Sequence, residues 1–262
     1  MTEFYTFAYD NNSTDNDMVN ERDKPADNTS LEQKKLEEIE NKLKNGDFSV
    51  KPELIELMKM PSDTQVQNEC IRLFLCVANN EELHNVSNLA FLEDAEEDAV
   101  HTFSTYSVYS LSYETVPYLF MLFEIWEDTN MEDFIRSSLD YILSYSDHMD
   151  FYASLEEIEN WAVNVIGKSQ AEQYYYMNQT FHPVILAKKI HYIALNRLAN
   201  NAKFAIFTLP EILELSTGKA FPVAYDEIVD ETAIRKIHNY IESLILIPWE
   251  TGAKYYLGHK VV

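Results

Sequence analysis

Glycine is scarce in this chain, five residues among 262, and the scarcity excludes several kinds of chemistry. Phosphate-cradling loops and nucleophile elbows need positive φ or close backbone approach, which glycine supplies at little cost. Gly46, Gly167, Gly218, Gly252 and Gly258 are placed so that no G-x-G-x-x-G and no P-loop occurs. Gly46 and Gly167 fall where apolar periodicity stops and are expected to end helices. Cysteine is scarcer still. Cys70 and Cys76 lie on one expected helix with their Cα atoms about 9 Å apart on nearly opposite faces, too far to bridge. Both are read as small buried apolar residues. Basic residues number 20 against 44 acidic ones, a net charge of -24. Such a chain lacks the clustered Lys and Arg that phosphate binding requires, so nucleic acid is excluded as a partner and a basic protein is favoured. The longest apolar stretch, Val116 to Trp126, is interrupted by Pro117 and Glu124 and is too short to span a bilayer. The first residues lack the basic and apolar regions of a signal peptide, so the expected location is cytoplasmic, without membrane association.

Metal and nucleophile patterns are also wanting. The seven histidines do not supply the two Glu-x-x-His motifs that a di-metal carboxylate bundle needs, Glu81-Glu-Leu-His84 being single, and H-E-x-x-H, EF-hand and paired-cysteine zinc patterns are absent. Asp98-Ala-Val-His101 is likewise single and reads more simply as a solvated acidic helix start. His182 and His191 are expected to open and pack a helix. Ser216-Thr-Gly-Lys219 has the S-x-x-K spacing, but S-D-N and K-T-G partners are missing and Gly218 and Pro222 mark a turn. No cofactor, no metal and no enzymatic activity are expected.

What is present is apolar mass, 46% of residues, arranged with helical period. Residues 1–28 are expected to form a flexible acidic segment, with the aromatics Phe4, Tyr5, Phe7 and Tyr9 as a docking exception. Residues 29–262 read as a single helical domain. Ser30-Leu-Glu-Gln33 is a capping box opening a helix that closes near Gly46. Pro52 begins a short helix, and Asp63 caps a longer one through Val77. Further helices are expected over 90–109, 116–126, 130–145, 155–166, 169–179, 183–198, 209–215 and 231–246. Ser154-Leu-Glu-Glu157 and Thr208-Leu-Pro-Glu211 have capping-box spacing. Alternating strands are expected at most near Phe4 and in the last dozen residues.

A loose internal pattern recurs. Pro52-Glu-Leu-Ile-Glu-Leu57, Pro117-Tyr-Leu-Phe-Met-Leu122 and Pro210-Glu-Ile-Leu-Glu-Leu215 each begin a short helix. Asp63, Asp128 and Asp230 would cap the longer helices that follow, with Arg72, Arg136 and Arg235 at a shared place expected to form surface ion pairs. Short helix, capped turn and longer basic helix resemble HEAT-like repeats, over residues 50–145 and 208–246, although the family's arginine is replaced by Gln67, Glu132 and Ile234. The resemblance implies an irregular all-α solenoid of stacked helix pairs; the alternative is an irregular helical bundle.

Two features read as partner-binding. Glu93, Asp94, Glu96, Glu97 and Asp98 form a dense acidic knot suited to steering a basic protein. Tyr174, Tyr175 and Tyr176 on one helix would span about 200°, leaving at least one ring outward as an anchor. In general character, the chain resembles the immunity proteins of bacterial toxin systems, which implies neutralisation of a toxin domain by occlusion. The other readings are a HEAT-like scaffold for a peptide or helix, a nucleic-acid mimic, and an enzyme with an unrecognised helical site.

Overall fold

The computed structural model describes residues 30–61 and 63–262; the acidic segment 1–28 and its aromatic cluster lie outside the described residues. Twelve α-helices account for most of the described residues: α1 Leu31–Lys44, α2 Lys51–Lys59, α3 Thr64–Val77, α4 Asn80–His84, α5 Val86–Leu89, α6 Glu97–Ser107, α7 Val116–Ile125, α8 Met131–Leu143, α9 Leu155–Ile166, α10 Pro183–Ala199, α11 Thr208–Thr217 and α12 Glu231–Ile245. The protein is all-α, with two small hairpins: β1 Tyr175–Tyr176 with β2 Gln179–Thr180, and β3 Tyr255–Tyr256 with β4 His259–Lys260. Buried side chains from Ile39 to Val261 form one contiguous cluster.

Local chemistry accounts for many helix boundaries. Ser30 and Gln33 close a reciprocal capping box on α1, with bonds of 3.1 and 2.9 Å, and Ser154 with Glu157 repeats it on α9. Each such cap contributes about 1 kcal/mol. Asp63 and Asp230 cap α3 and α12 as their spacing predicts. α1 ends before Gly46, whose φ of +79° is left-handed; a Cβ there would also sit 2.6 Å from the His259 ring. Gly167 stands at the end of α9, but in right-handed conformation. Two expected caps are not formed. Asn130 rather than Asp128 precedes α8, Asp128 being left-handed with its amide bonded to Glu132, and Thr208 is already inside α11 while Glu211 bonds elsewhere.

The helix expected over 90–109 is broken. A 3-10 turn covers Ala90–Asp94, Glu96 is extended, and α6 starts at Glu97. A continuous helix would stack Glu93 on Glu97 and Asp94 on Asp98, like charges at i,i+4 that repel. Breaking the chain here places Glu97 and Asp98 in the first turn of α6, where the helix dipole favours them.

The proline-led pattern builds two packed pairs, α2 with α3 and α7 with α8. The third pair does not form as such: α11 and α12 both pack chiefly on α10, which lies between them. α3 is central, touching α1, α2, α6 and β3. Arg72 pairs with Glu69 at 2.8 Å, as surface arginines do. Arg235 makes no ion pair among the described residues, only a 3.4 Å bond to Thr232. Arg136 is different: it is buried, lies 4.5 Å from the Phe123 ring centroid, and donates to Glu132 at 2.8 Å and the Ala153 carbonyl at 2.9 Å. Arg136→Ala is therefore expected to cost about 3 kcal/mol, because it strands Glu132 and a buried carbonyl. Urea unfolding measures this, and a loss below about 0.5 kcal/mol, the size of an ordinary surface substitution, would contradict it.

The segment 169–179 is not helical. Its tyrosines enter a hairpin whose turn residues, Met177 and Asn178, have φ of 46° and 58°. The C-terminal hairpin repeats the design, with Leu257 and Gly258 at 49° and 88°. The Tyr175 hydroxyl accepts from the Gln170 amide at 2.7 Å, and that of Tyr255 from the Glu250 amide at 2.8 Å. Each hairpin follows a helix, α9 or α12, so helix, turn and Tyr-Tyr hairpin form a unit used twice. Isolated two-stranded hairpins are marginal in water. Here Gly252 bonds the first hairpin at Tyr174 and Phe181, at 3.0 and 2.8 Å, and the second docks on α11 through Leu215 and Ser216.

Candidate interaction surfaces

Lys254 opens the second hairpin and joins the two ends of the fold. Its side chain is 1% exposed, and its ammonium donates to the Leu75 and Ala78 carbonyls at 2.8 and 2.9 Å, at the C-terminal end of α3 where the dipole favours a cation. The Tyr174 ring lies 5.7 Å away. Burial lowers its pKa to about 7. A second buried lysine, Lys51, donates to Glu82 at 2.7 Å and to the Val262 carbonyl at 2.6 Å. Tyr109 donates to Glu211, tying α11 to the end of α6; burial raises the pKa of both groups. These are structural contacts in the interior.

The residues that sequence patterns single out for chemistry do not assemble a reaction centre. Ser216 is buried, and Lys219 is engaged elsewhere, donating to the Ser243 carbonyl and hydroxyl at 3.1 and 3.2 Å. His101 packs edge-on against Phe134 at 4.6 Å between ring centroids, and burial lowers its pKa against the pull of Asp98 and Glu97. His182 caps α10 by accepting from the Val184 amide at 3.2 Å. Among the described residues, no group of three or more His, Cys, Asp or Glu is arranged to hold a metal ion. Cys70 and Cys76 are free and buried, and burial pushes their thiols up to about 12 and about 11. Both are expected to resist a thiol-directed reagent at pH 8 until the chain is unfolded, because the thiolate is the reacting form. Rapid labelling of the folded protein would contradict this.

The acidic knot is a surface feature. Glu93, Asp94, Glu96, Glu97 and Asp98 are all exposed, on the turn before α6 and its first turn, and none forms an ion pair among the described residues. The three tyrosines are distributed otherwise. Tyr174 and Tyr176 are 7% and 6% exposed, so these two are core residues and the anchor role expected of them is withdrawn. A strand alternates its faces, and both rings that flank Tyr175 turn inward. Tyr175 is half-buried, stacked on Tyr113 with centroids 4.9 Å apart. The outward rings and aliphatic side chains lie elsewhere, notably Ile185, Tyr192 and Leu195 on α10. Periodicity over 183–198 already carried that face, since positions 185, 192 and 195 share a stripe of the helix.

No helix among the described residues is long and apolar enough to cross a membrane. The fold is all-α, and the exposed acidic knot forms no ion pair among the described residues. A model of the immunity protein 47 family matches residues 13–261, and the chain belongs to that family. No match was found among curated proteins or solved structures.

Proposed function

We propose that the protein neutralises a cognate toxin by binding it, covering the toxin's working surface without chemistry of its own. The family match over nearly the whole chain carries this reading. The net charge of -24 supports a basic toxin domain as the partner, and the unpaired knot from Glu93 to Asp98 supports steering of that partner into contact. Occlusion needs shape and charge complementarity rather than a catalytic constellation. The protein would act in the compartment where its toxin threatens the producing cell, which for an intracellular target is the cytoplasm.

The test is capture. Immobilised protein exposed to a lysate of its own organism is expected to retain one basic protein in a 1:1 complex that weakens as salt rises. Retention of several unrelated proteins with no salt dependence would favour a scaffold and overturn this reading.

A further inference from the structure

The surface built by α10 departs from the rest of the chain in charge. α10 carries Lys188, Lys189 and Arg197 and no Asp or Glu, in a chain with 44 acids. Its outward stripe presents Ile185, Tyr192 and Leu195, 51%, 67% and 41% exposed. At the start of the helix this stripe runs into a small hollow, half open to solvent, between α10 and the first hairpin. Tyr176, Thr180, Phe181, His182, Ile185 and Lys189 line it, and no carboxylate does among the described residues.

Two groups at the hollow are incompletely satisfied. Lys189 is half-buried, and its ammonium contacts the Met177 thioether at 3.2 Å and lies 6.0 Å from the Tyr176 ring centroid. It makes no ion pair among the described residues. Burial lowers its pKa, and Asp147 is near enough to pull the other way without bonding to it. The Tyr176 hydroxyl is buried with no hydrogen-bond partner among the described residues. A desolvated cation and an unmatched hydroxyl both cost free energy until a complementary group reaches them.

We propose that this hollow receives a carboxylate side chain of the partner protein, with Ile185, Tyr192 and Leu195 as the apolar anchor beside it. This rests on the toxin-binding reading and names where the toxin is held. One lysine among Phe181, Ile185 and a methionine suits a singly charged group on a short apolar stem. A phosphate would call for several donors. The division of labour is physical: the acidic knot acts at long range on the partner's net charge, while α10 is the acid-free stripe on which a local carboxylate meets no like charge of its own helix.

The full chain labelled with 13C at its methionine methyls tests the site without the toxin. Titration with N-acetylglutamate methylamide is expected to shift the Met177 methyl saturably, while the glutamine analogue does not. Lys189→Gln should weaken the response at least tenfold and leave the other methionine signals in place, which shows that the variant is folded. No shift, an equal shift with the amide, or tighter binding of inorganic phosphate would overturn the carboxylate assignment. With the captured toxin, Lys189→Gln and Tyr192→Ser are each expected to raise Kd at least tenfold. Unchanged affinity would overturn α10 as the holding surface while leaving toxin binding intact. Failure of the unsubstituted chain to bind any toxin would overturn the toxin reading and the occupant named here, whatever the small-molecule titration gives.

Discussion

Raising the pH from 6 to about 8.5 is expected to add about 2 kcal/mol of stability through Lys254 alone. Burial lowers this amine to about 7 in the folded protein, whereas an unfolded lysine titrates near about 10.4. Below pH 7 both states hold the proton, and the folded state bears the full cost of a buried cation. Between the two values the unfolded chain binds more protons than the native one, so stability rises with pH at up to about 1.4 kcal/mol per unit. The rise has an upper limit. Cys70 and Cys76 are pushed up to about 12 and about 11 when folded, but unfolded thiols ionise near about 8.5, and above that pH the balance reverses. A maximum near pH 8.5 follows. Lys254→Met keeps most of the volume and removes the titrating group, so its profile should lose the rise between pH 7 and 8.5, even though the Leu75 and Ala78 carbonyls then lack their donor and the whole curve shifts. His101, His182 and His191, whose pKa values burial lowers, leave both chains a smaller rise below pH 7. Urea midpoints from pH 6 to 9.5 for both chains decide the matter. Parallel profiles would mean that Lys254 is not the group responsible.

The second large effect concerns association. Replacing Glu93, Asp94, Glu96, Glu97 and Asp98 together by lysine changes the net charge by ten, from -24 to -14, at one exposed place. Because these carboxylates make no ion pairs among the described residues and lie outside the core, folding should be little affected. Loss of the favourable first turn of α6 is the expected cost, about 1 kcal/mol. Association with a basic toxin at low salt should slow by about tenfold to a hundredfold, and the salt dependence of the rate should flatten, while dissociation changes less. Stopped-flow association at 20 and 300 mM salt reads both quantities. An unchanged rate and salt slope would remove the knot from the encounter surface and leave steering to the charge spread over the rest of the chain.

The all-α class and the majority of the helix boundaries were legible because they rest on local chemistry. The Ser30 and Ser154 capping boxes, the Asp63 and Asp230 caps and the stop at Gly46 are short-range signals that the tertiary structure leaves in force. The segment 169–179 was misread because three tyrosines have no periodicity of their own. The informative signal was Met177-Asn178, a two-residue turn that needs positive φ at both positions, and its likeness to Leu257-Gly258. The acidic knot was legible as surface but not as a helix boundary, since like-charge repulsion at i,i+4 appears only once a helix is assumed there. Partners distant in sequence were not legible at all. Nothing near Lys254 announces that it reaches the carbonyls ending α3, and nothing near Tyr109 announces Glu211. The hollow beside Lys189 belongs to the same group, because it exists only where the first hairpin meets α10.

The most direct test of binding without chemistry is a titration of the toxin's activity with this protein, followed by recovery of the toxin under denaturing conditions. Occlusion predicts a linear fall that reaches zero at one equivalent, with the recovered toxin regaining activity at unaltered mass once the two chains are separated and refolded. Inactivation by a small fraction of an equivalent, or a toxin that returns chemically altered, would contradict it and assign the protein an enzymatic role.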